Sequence, residues 1–216
     1  MKKAQIKNIT ITAMLCALAY VVMLVGRVPI VMFLKYDPKD IIIALGGLIW
    51  GPFMSLIVSV IVSGIEALTA SETGWIGFIM NALSSCAFAC TAAAIYKKKR
   101  TLSGAVIGLF AGCAVMVAAM LMWNYFITPI YMGYPREAVA EMLLPVFLPF
   151  NLLKAGLNAG FTFLMYRPII SALRKAKLVE ESASSSKKKT SIGWIMLFAV
   201  IIISCVVGAL VWKDII

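Results

Sequence analysis

Long apolar runs with almost no charge recur along most of this 216-residue sequence, and they leave little freedom in what it can become. Runs of about 20 apolar residues are what a helix needs to cross the hydrocarbon core of a bilayer. Hydrophobic residues make up 62% of the chain and charged residues 13%, against about 25% charged in an ordinary globular domain. The expected class is an all-α, multi-pass membrane protein with no room for a soluble domain. The first run is long and leads straight into further runs, so it is not expected to be a cleaved signal. A formal net charge of +11 would suggest nucleic acid in a soluble protein. Here the basic residues gather at the ends of the runs, as the positive-inside rule produces, and no nucleic-acid partner is expected.

Read in order, the runs divide the chain into three parts. Residues 1–178 form a body of six spans, 179–190 a flexible polar linker, and 191–216 an appended C-terminal transmembrane helix. The first span covers about Ile9 to Val25 and carries Ala13 and Ala17, a small-residue stripe that lets another helix approach closely. A semi-apolar loop from Gly26 to Asp40 follows. It could fold over a cavity as a lid, or simply connect, with Asp40 as the cap of the next helix. Ile41–Thr69 could be one long helix or two short spans broken at Gly51-Pro52. Two spans put the amino terminus, Lys97–Arg100 and the basic stretch from Arg167 on one side, collecting about 14 of the 20 basic residues there, and are therefore preferred. Ile41–Trp50 is then too short to cross alone. Glu66, near the outer end of the third span, is placed at the interface. The fourth, fifth and sixth spans run over about Trp75–Tyr96, Leu102–Ile127 and Leu143–Tyr166. Gly104, Gly108 and Gly112 give the fifth a packing face, and Pro145 and Pro149 loosen the start of the sixth.

Chemistry is concentrated where the sixth span begins. Asn151, Lys154 and Asn158 fall on one helical face. Lys154 is read as the only lysine well inside a span, where a charge costs a few kcal/mol on the mildest scale and marks a functional site by default. The bland alternatives are a polar cluster between helices or a lysine snorkelling to the interface. Asn81 in the fourth span and Asn124 beside Tyr125 in the fifth lie at similar depth. These groups offer hydrogen bonds and one cation, with no buried carboxylate partner, which suits a neutral or weakly anionic ligand. Nearby aromatic side chains, including Trp75, Phe78, Trp123, Tyr125, Phe147 and Phe150, suit a flat ring. Catalytic patterns are missing. The chain has no histidine, hence no Ser-His-Asp or HExxH arrangement, and it has no P-loop. Its five cysteines (Cys16, Cys86, Cys90, Cys113 and Cys205) all fall in predicted spans without a CxxC, so neither a disulfide framework nor a metal site is expected.

Three stretches together resemble a known family. They are Leu34-Lys-Tyr-Asp-Pro-Lys-Asp40 after the first span, Asn124-Tyr125 ending the fifth, and Pro149-Phe-Asn-Leu-Leu-Lys154 opening the sixth. This set is similar to the riboflavin-specific substrate-binding (S) components of energy-coupling factor (ECF) vitamin transporters, over residues 5–178. The resemblance implies a six-helix S-component-like bundle in the plasma membrane, with the amino terminus cytoplasmic. The extra span would put the carboxyl terminus outside. It further implies capture of riboflavin from outside beneath a lid. Asn124, Asn151 and Lys154 would hold the polar edge of the flavin ring. Leu34, Lys35 and Tyr36 of the lid, and Trp75, Gly77 and Asn81 of the fourth span, would enclose the rest, with Asn158 on the sixth-span face below. Ala13 and Ala17 would dock on a transmembrane coupling subunit, and two ATPase subunits would use the ATP. No cofactor and no enzymatic activity are expected of the chain itself. An S component for another vitamin, a structural or assembly subunit, and an intramembrane enzyme remain as alternatives.

Overall fold

The computed structural model describes residues 2–31, 34–70 and 73–175. Helix α1 spans Lys2–Gly26, and a two-stranded antiparallel hairpin follows, β1 (Val28–Val31) and β2 (Leu34–Tyr36). Helices α2 (Lys39–Trp50), α3 (Pro52–Thr69), α4 (Gly74–Lys98), α5 (Leu102–Met132), α6 (Arg136–Met142) and α7 (Leu148–Lys175) complete it. The described residues therefore form an all-α membrane bundle with one small hairpin. The linker and the appended helix expected over 179–190 and 191–216 lie outside them.

Among the described residues, five helical segments are long and apolar enough to cross a membrane. Helix α2 is not one of them. Its 12 residues reach about 18 Å at 1.5 Å per residue, well short of a ~30 Å hydrocarbon core. The break between α2 and α3 falls at Gly51-Pro52, as expected. Gly51 sits at φ 104°, a conformation that favours glycine, and Pro52 opens α3, where its missing N–H is harmless.

Contacts between helices fix their directions. Cys90 near the end of α4 meets the Pro52 carbonyl at the start of α3, and Thr12 early in α1 meets Met54. Tyr96 and Tyr166 share a hydrogen bond between α4 and α7. The start of α1, the basic end of α4 and the later part of α7 thus share one end of the bundle. At the other end lie the hairpin, the start of α2 and the end of α3, where Tyr20 bonds Thr69.

Small residues bring the helices together, as they must where lipid is as apolar as the side chains. A Cβ on Gly108 would stand 2.6 Å from the Ala92 carbonyl oxygen, and one on Gly112 equally close to that of Phe88. The glycine face of α5 is therefore the seam with α4. The main core gathers Ile41–Leu45 of α2, Val58 and Val62 of α3, Phe88 and Ala92 of α4, Met116 of α5 and Ala155 of α7. A smaller cluster of Leu34, Val139, Phe147 and Phe150 seats the hairpin against α6 and the start of α7.

Several boundaries differ from the sequence reading. Helix α5 continues to Met132, and most of the expected outer loop is α6. Leu143–Phe147 forms a π-helical turn, in which the Leu148 amide reaches back five residues to the Leu143 carbonyl. Pro145 and Pro149 each remove a backbone donor there, so the ordinary ladder cannot run through unbroken. Pro38, not Asp40, occupies the N-cap of α2, and Asp40 lies buried in its first turn.

Candidate functional site: a polar cavity beneath the hairpin

At the hairpin end, α3, α4, α5, α7 and β2 enclose an open cavity with about 940 Å³ of empty space, its mouth included. Its polar lining comes from every side: Lys35 and Asp37 beside the hairpin, Glu66 on α3, Asn81 and Ser84 on α4, Asn124 and Thr128 on α5, Asn151 and Lys154 on α7. Met80, Met120, Trp123 and Phe150 supply apolar and aromatic surface.

Two buried ionic groups frame this cavity. The first ties the hairpin's base to α3. Arg27 Nε donates to Asp37 Oδ1 at 2.6 Å across the two feet of the hairpin. Arg27 and Lys39 each pair with Glu66, and Asn81 Nδ2 donates to Glu66 Oε1 at 3.0 Å. Burial disfavours the Arg27 charge, but the hydrogen bond and charge of Asp37, with the charge of Glu66, outweigh it and raise its pKa. Burial likewise pushes the Tyr36 phenol up, and Asp40 and Asp37 add to the shift, so Tyr36 stays neutral.

The second group lies deeper. Lys154 Nζ is 3.7 Å from Asp40 Oδ2 and donates to Ser84 Oγ at 3.4 Å. Asp40 also accepts from Ser85 Oγ and from Asn158 Nδ2, the latter at 3.1 Å. Three cations (Arg27, Lys39, Lys154) are thus matched by three anions (Asp37, Asp40, Glu66), and these groups contribute no net charge to the cavity.

This overturns three expectations. Lys154 does have a buried carboxylate nearby. Lys39 is a second fully buried lysine, and Glu66 is buried rather than interfacial. The physical reason is common to all three: a charge at membrane depth persists when another element brings its opposite within reach.

Of the eleven residues assigned from sequence to hold the ligand, seven line the cavity: Leu34, Lys35, Gly77, Asn81, Asn124, Asn151 and Lys154. Four do not appear in its lining. Tyr36 is buried beneath the hairpin, and Asn158 lies behind Lys154 against Asp40. Trp75 is 75% exposed, edge-on to Phe78, and Tyr125 packs edge-on to Phe126 at the bundle surface. The sequence reading gave no role to Arg27, Asp37, Ser84 or Thr128. A signal for Glu66 was present: Ser55, Ser59, Ser63 and Glu66 recur on one face of α3, and all four are buried.

The polar groups differ in how fully the protein satisfies them. Asn124 Oδ1 accepts from Thr128 Oγ1 at 3.1 Å, while the buried Asn124 Nδ2 has no partner among the described residues. A donor left so costs about 1–3 kcal/mol, which a ligand carbonyl would relieve. Asn151 is fixed by its own helix, its Nδ2 donating to the Phe147 carbonyl at 2.8 Å. Among the described residues, no group of three or more Cys, Asp or Glu side chains could hold a metal ion.

The family model for the ECF transporter, substrate-specific component, matches residues 7–166. The chain belongs to this family. As an S component it is a transporter subunit and a multi-pass membrane protein. It is 28% identical over 180 residues to the riboflavin transporter RibU of Staphylococcus aureus (strain TCH60), covering 79% of this chain and 94% of that one. It is 24% identical over 190 residues to the riboflavin transporter FmnP of Bacillus subtilis (strain 168), covering 81% and 99%. A solved S component of a bacterial ECF transporter superposes with a TM-score of 0.68 at 27% identity, over 79% of this chain and 99% of that one. The family match stops short of residues 179–216, the part read as an appendage.

Proposed function

We propose that this S component binds riboflavin in the cavity beneath the hairpin and delivers it to an ATP-driven ECF uptake transporter. The observation that carries the reading is the chemistry of the cavity. Asn81, Asn124, Asn151 and Lys154 present amide and ammonium groups beside Trp123 and Phe150, and Lys35 adds a further cation to the lining. A neutral ligand with a flat ring and a polar edge and tail suits that lining. Two relatives named as riboflavin transporters support the same choice.

In the mechanism this reading implies, Asn124 Nδ2 and the Lys154 ammonium donate to ring carbonyls. Asn151, held by its helix, fixes the register of the polar edge. The hairpin, seated by Leu34 on Phe147 and Phe150 and tied down through Arg27 and Asp37, covers the bound ligand and excludes water. The hairpin end faces outward, and the end bearing Lys97–Arg100 faces the cytoplasm with the amino terminus, in keeping with the positive-inside rule. Ala13 and Ala17 lie exposed on α1 and offer a close-packing face for a transmembrane coupling subunit. Two ATPase subunits bound to that partner supply the energy, and the chain itself uses no cofactor.

Riboflavin fluorescence tests the ligand directly. Titrating riboflavin into purified full-length protein should quench its emission with a sharp one-to-one end point, and protein from a flavin-containing host should be yellow. Colourless protein that leaves the emission unchanged would overturn the assignment and favour a different vitamin or a purely structural subunit.

A further inference from the structure

We infer that Asp40 is a positioning residue for the ligand: it lies outside the cavity lining and acts by aiming the Lys154 ammonium into it. The inference rests on the riboflavin reading, and its starting point is how each of the two groups is held. Lys154 lines the cavity but is loosely partnered, with Ser84 Oγ at 3.4 Å and Asp40 Oδ2 at 3.7 Å. An ammonium has three donors, and charge-assisted bonds close to about 2.7–2.9 Å when they are fully made. Lys154 is therefore drawn toward Asp40 without being consumed by it, and keeps donor capacity for a ligand.

Asp40, in contrast, is fully buried and fixed from several directions. Ser85 of α4 donates to Oδ1 and Asn158 of α7 to Oδ2. Its place in the first turn of α2 adds the positive end of that helix. A carboxylate anchored to three helices is a rigid reference point for a flexible lysine. Asn158, one turn beyond Lys154 on the same helix, belongs to this support and not to the cavity wall. Such a division, in which one set of residues touches the ligand and a second set fixes the first, is how a site is held to the tolerance that directed hydrogen bonds require.

The alternative is that Asp40 serves only to hold the helices together through Ser85 and Asn158, independently of the lysine. The two roles separate in a double-mutant cycle read on ligand affinity. Riboflavin dissociation constants would be measured by fluorescence quenching for full-length wild type, Asp40→Asn, Lys154→Met and the double variant, with ligand-free thermal unfolding of each recorded alongside. Lys154→Met should weaken binding at least about tenfold, the size of a bond to a charged donor. Asp40→Asn should also weaken it about tenfold, yet add less than about twofold in the Lys154→Met background. If Asp40→Asn costs the same factor with and without the lysine, Asp40 acts on the fold and the inference is overturned. Should Asp40→Asn alone fail to fold, Lys154→Met against the double variant still decides: equal affinities support the positioning role, and a further tenfold loss refutes it. A wild type that binds no riboflavin removes the ligand reading and the role together. A wild type that binds, with independent mutational effects, removes only the role of Asp40.

Discussion

The carboxylates of this bundle decide what its cations can do. Glu66 accepts from Arg27, Lys39 and Asn81 at once, so replacing it with alanine leaves a fully buried lysine only the more distant Asp37, at 4.0 Å. Breaking a buried pair in this way costs about 3–5 kcal/mol. Glu66→Ala should accordingly lower the thermal midpoint of the detergent-solubilised protein by many degrees, and an unchanged midpoint would show that Lys39 finds another partner. Lys154 is different, because its spare donors face the cavity. Lys154→Ala should weaken riboflavin binding by at least about 1.5 kcal/mol, the range for a bond to a charged group. Titration by fluorescence quenching checks this, and wild-type affinity in the variant would give the lysine another purpose. Lys154 was legible from sequence because a lysine inside an apolar run stands out. The role of Lys39 was not, since it lies near a segment end where an interfacial position is the ordinary outcome, and that of Glu66 was signalled only by the serine face of α3. Only the three-dimensional return of α3 beside α2 buries them against each other.

On the proposed function, elements divide the labour between recognition and docking. The hairpin and the outer turns of α3, α4, α5 and α7 make the cavity, whereas the exposed face of α1 carries Ala13 and Ala17. Bulk on that face should disturb a partner helix and leave the cavity untouched. Ala13→Trp or Ala17→Trp is thus expected to keep wild-type riboflavin affinity in purified protein while abolishing cellular uptake in the presence of the ATPase module. Uptake at the normal rate would remove α1 as the docking face. The helices themselves were readable from apolar length, and the split at Gly51-Pro52 from charge placement. The hairpin was less so: Val28–Val31 and Leu34–Tyr36 are too short for periodicity to declare, and what stabilises them is the seating of Leu34 on Val139, Phe147 and Phe150, residues more than a hundred positions away. The two aromatic residues placed outside the cavity, Trp75 and Tyr125, show the converse limit. Which side of the helix they occupy could not be read, because a helix with apolar residues all round gives no phase.

On the scale of the whole molecule, the bundle is asymmetric along its axis. One end gathers the basic residues and the other a set of paired charges beneath a small cap. The cavity lining and the family match both fall within residues 7–166, and the sequence already implied that six-helix body. The pairing of its charges across four elements had no local signature. That pairing has a consequence for the medium around the protein. Dissolved ions weaken attraction between exposed charges over about 10 Å at 0.1 M salt, and reach sequestered pairs far less. The Arg27–Asp37 and Glu66–Lys39 contacts that fasten the cap have side chains from wholly buried to 17% exposed. Raising sodium chloride from 0.05 to 1 M should therefore change the riboflavin release rate by less than about twofold, as stopped-flow fluorescence would read it. A steep acceleration would mean that the cap opens to the bathing solution far more often than its packing suggests. A cap fastened in this manner would hold alike in dilute and in saline surroundings.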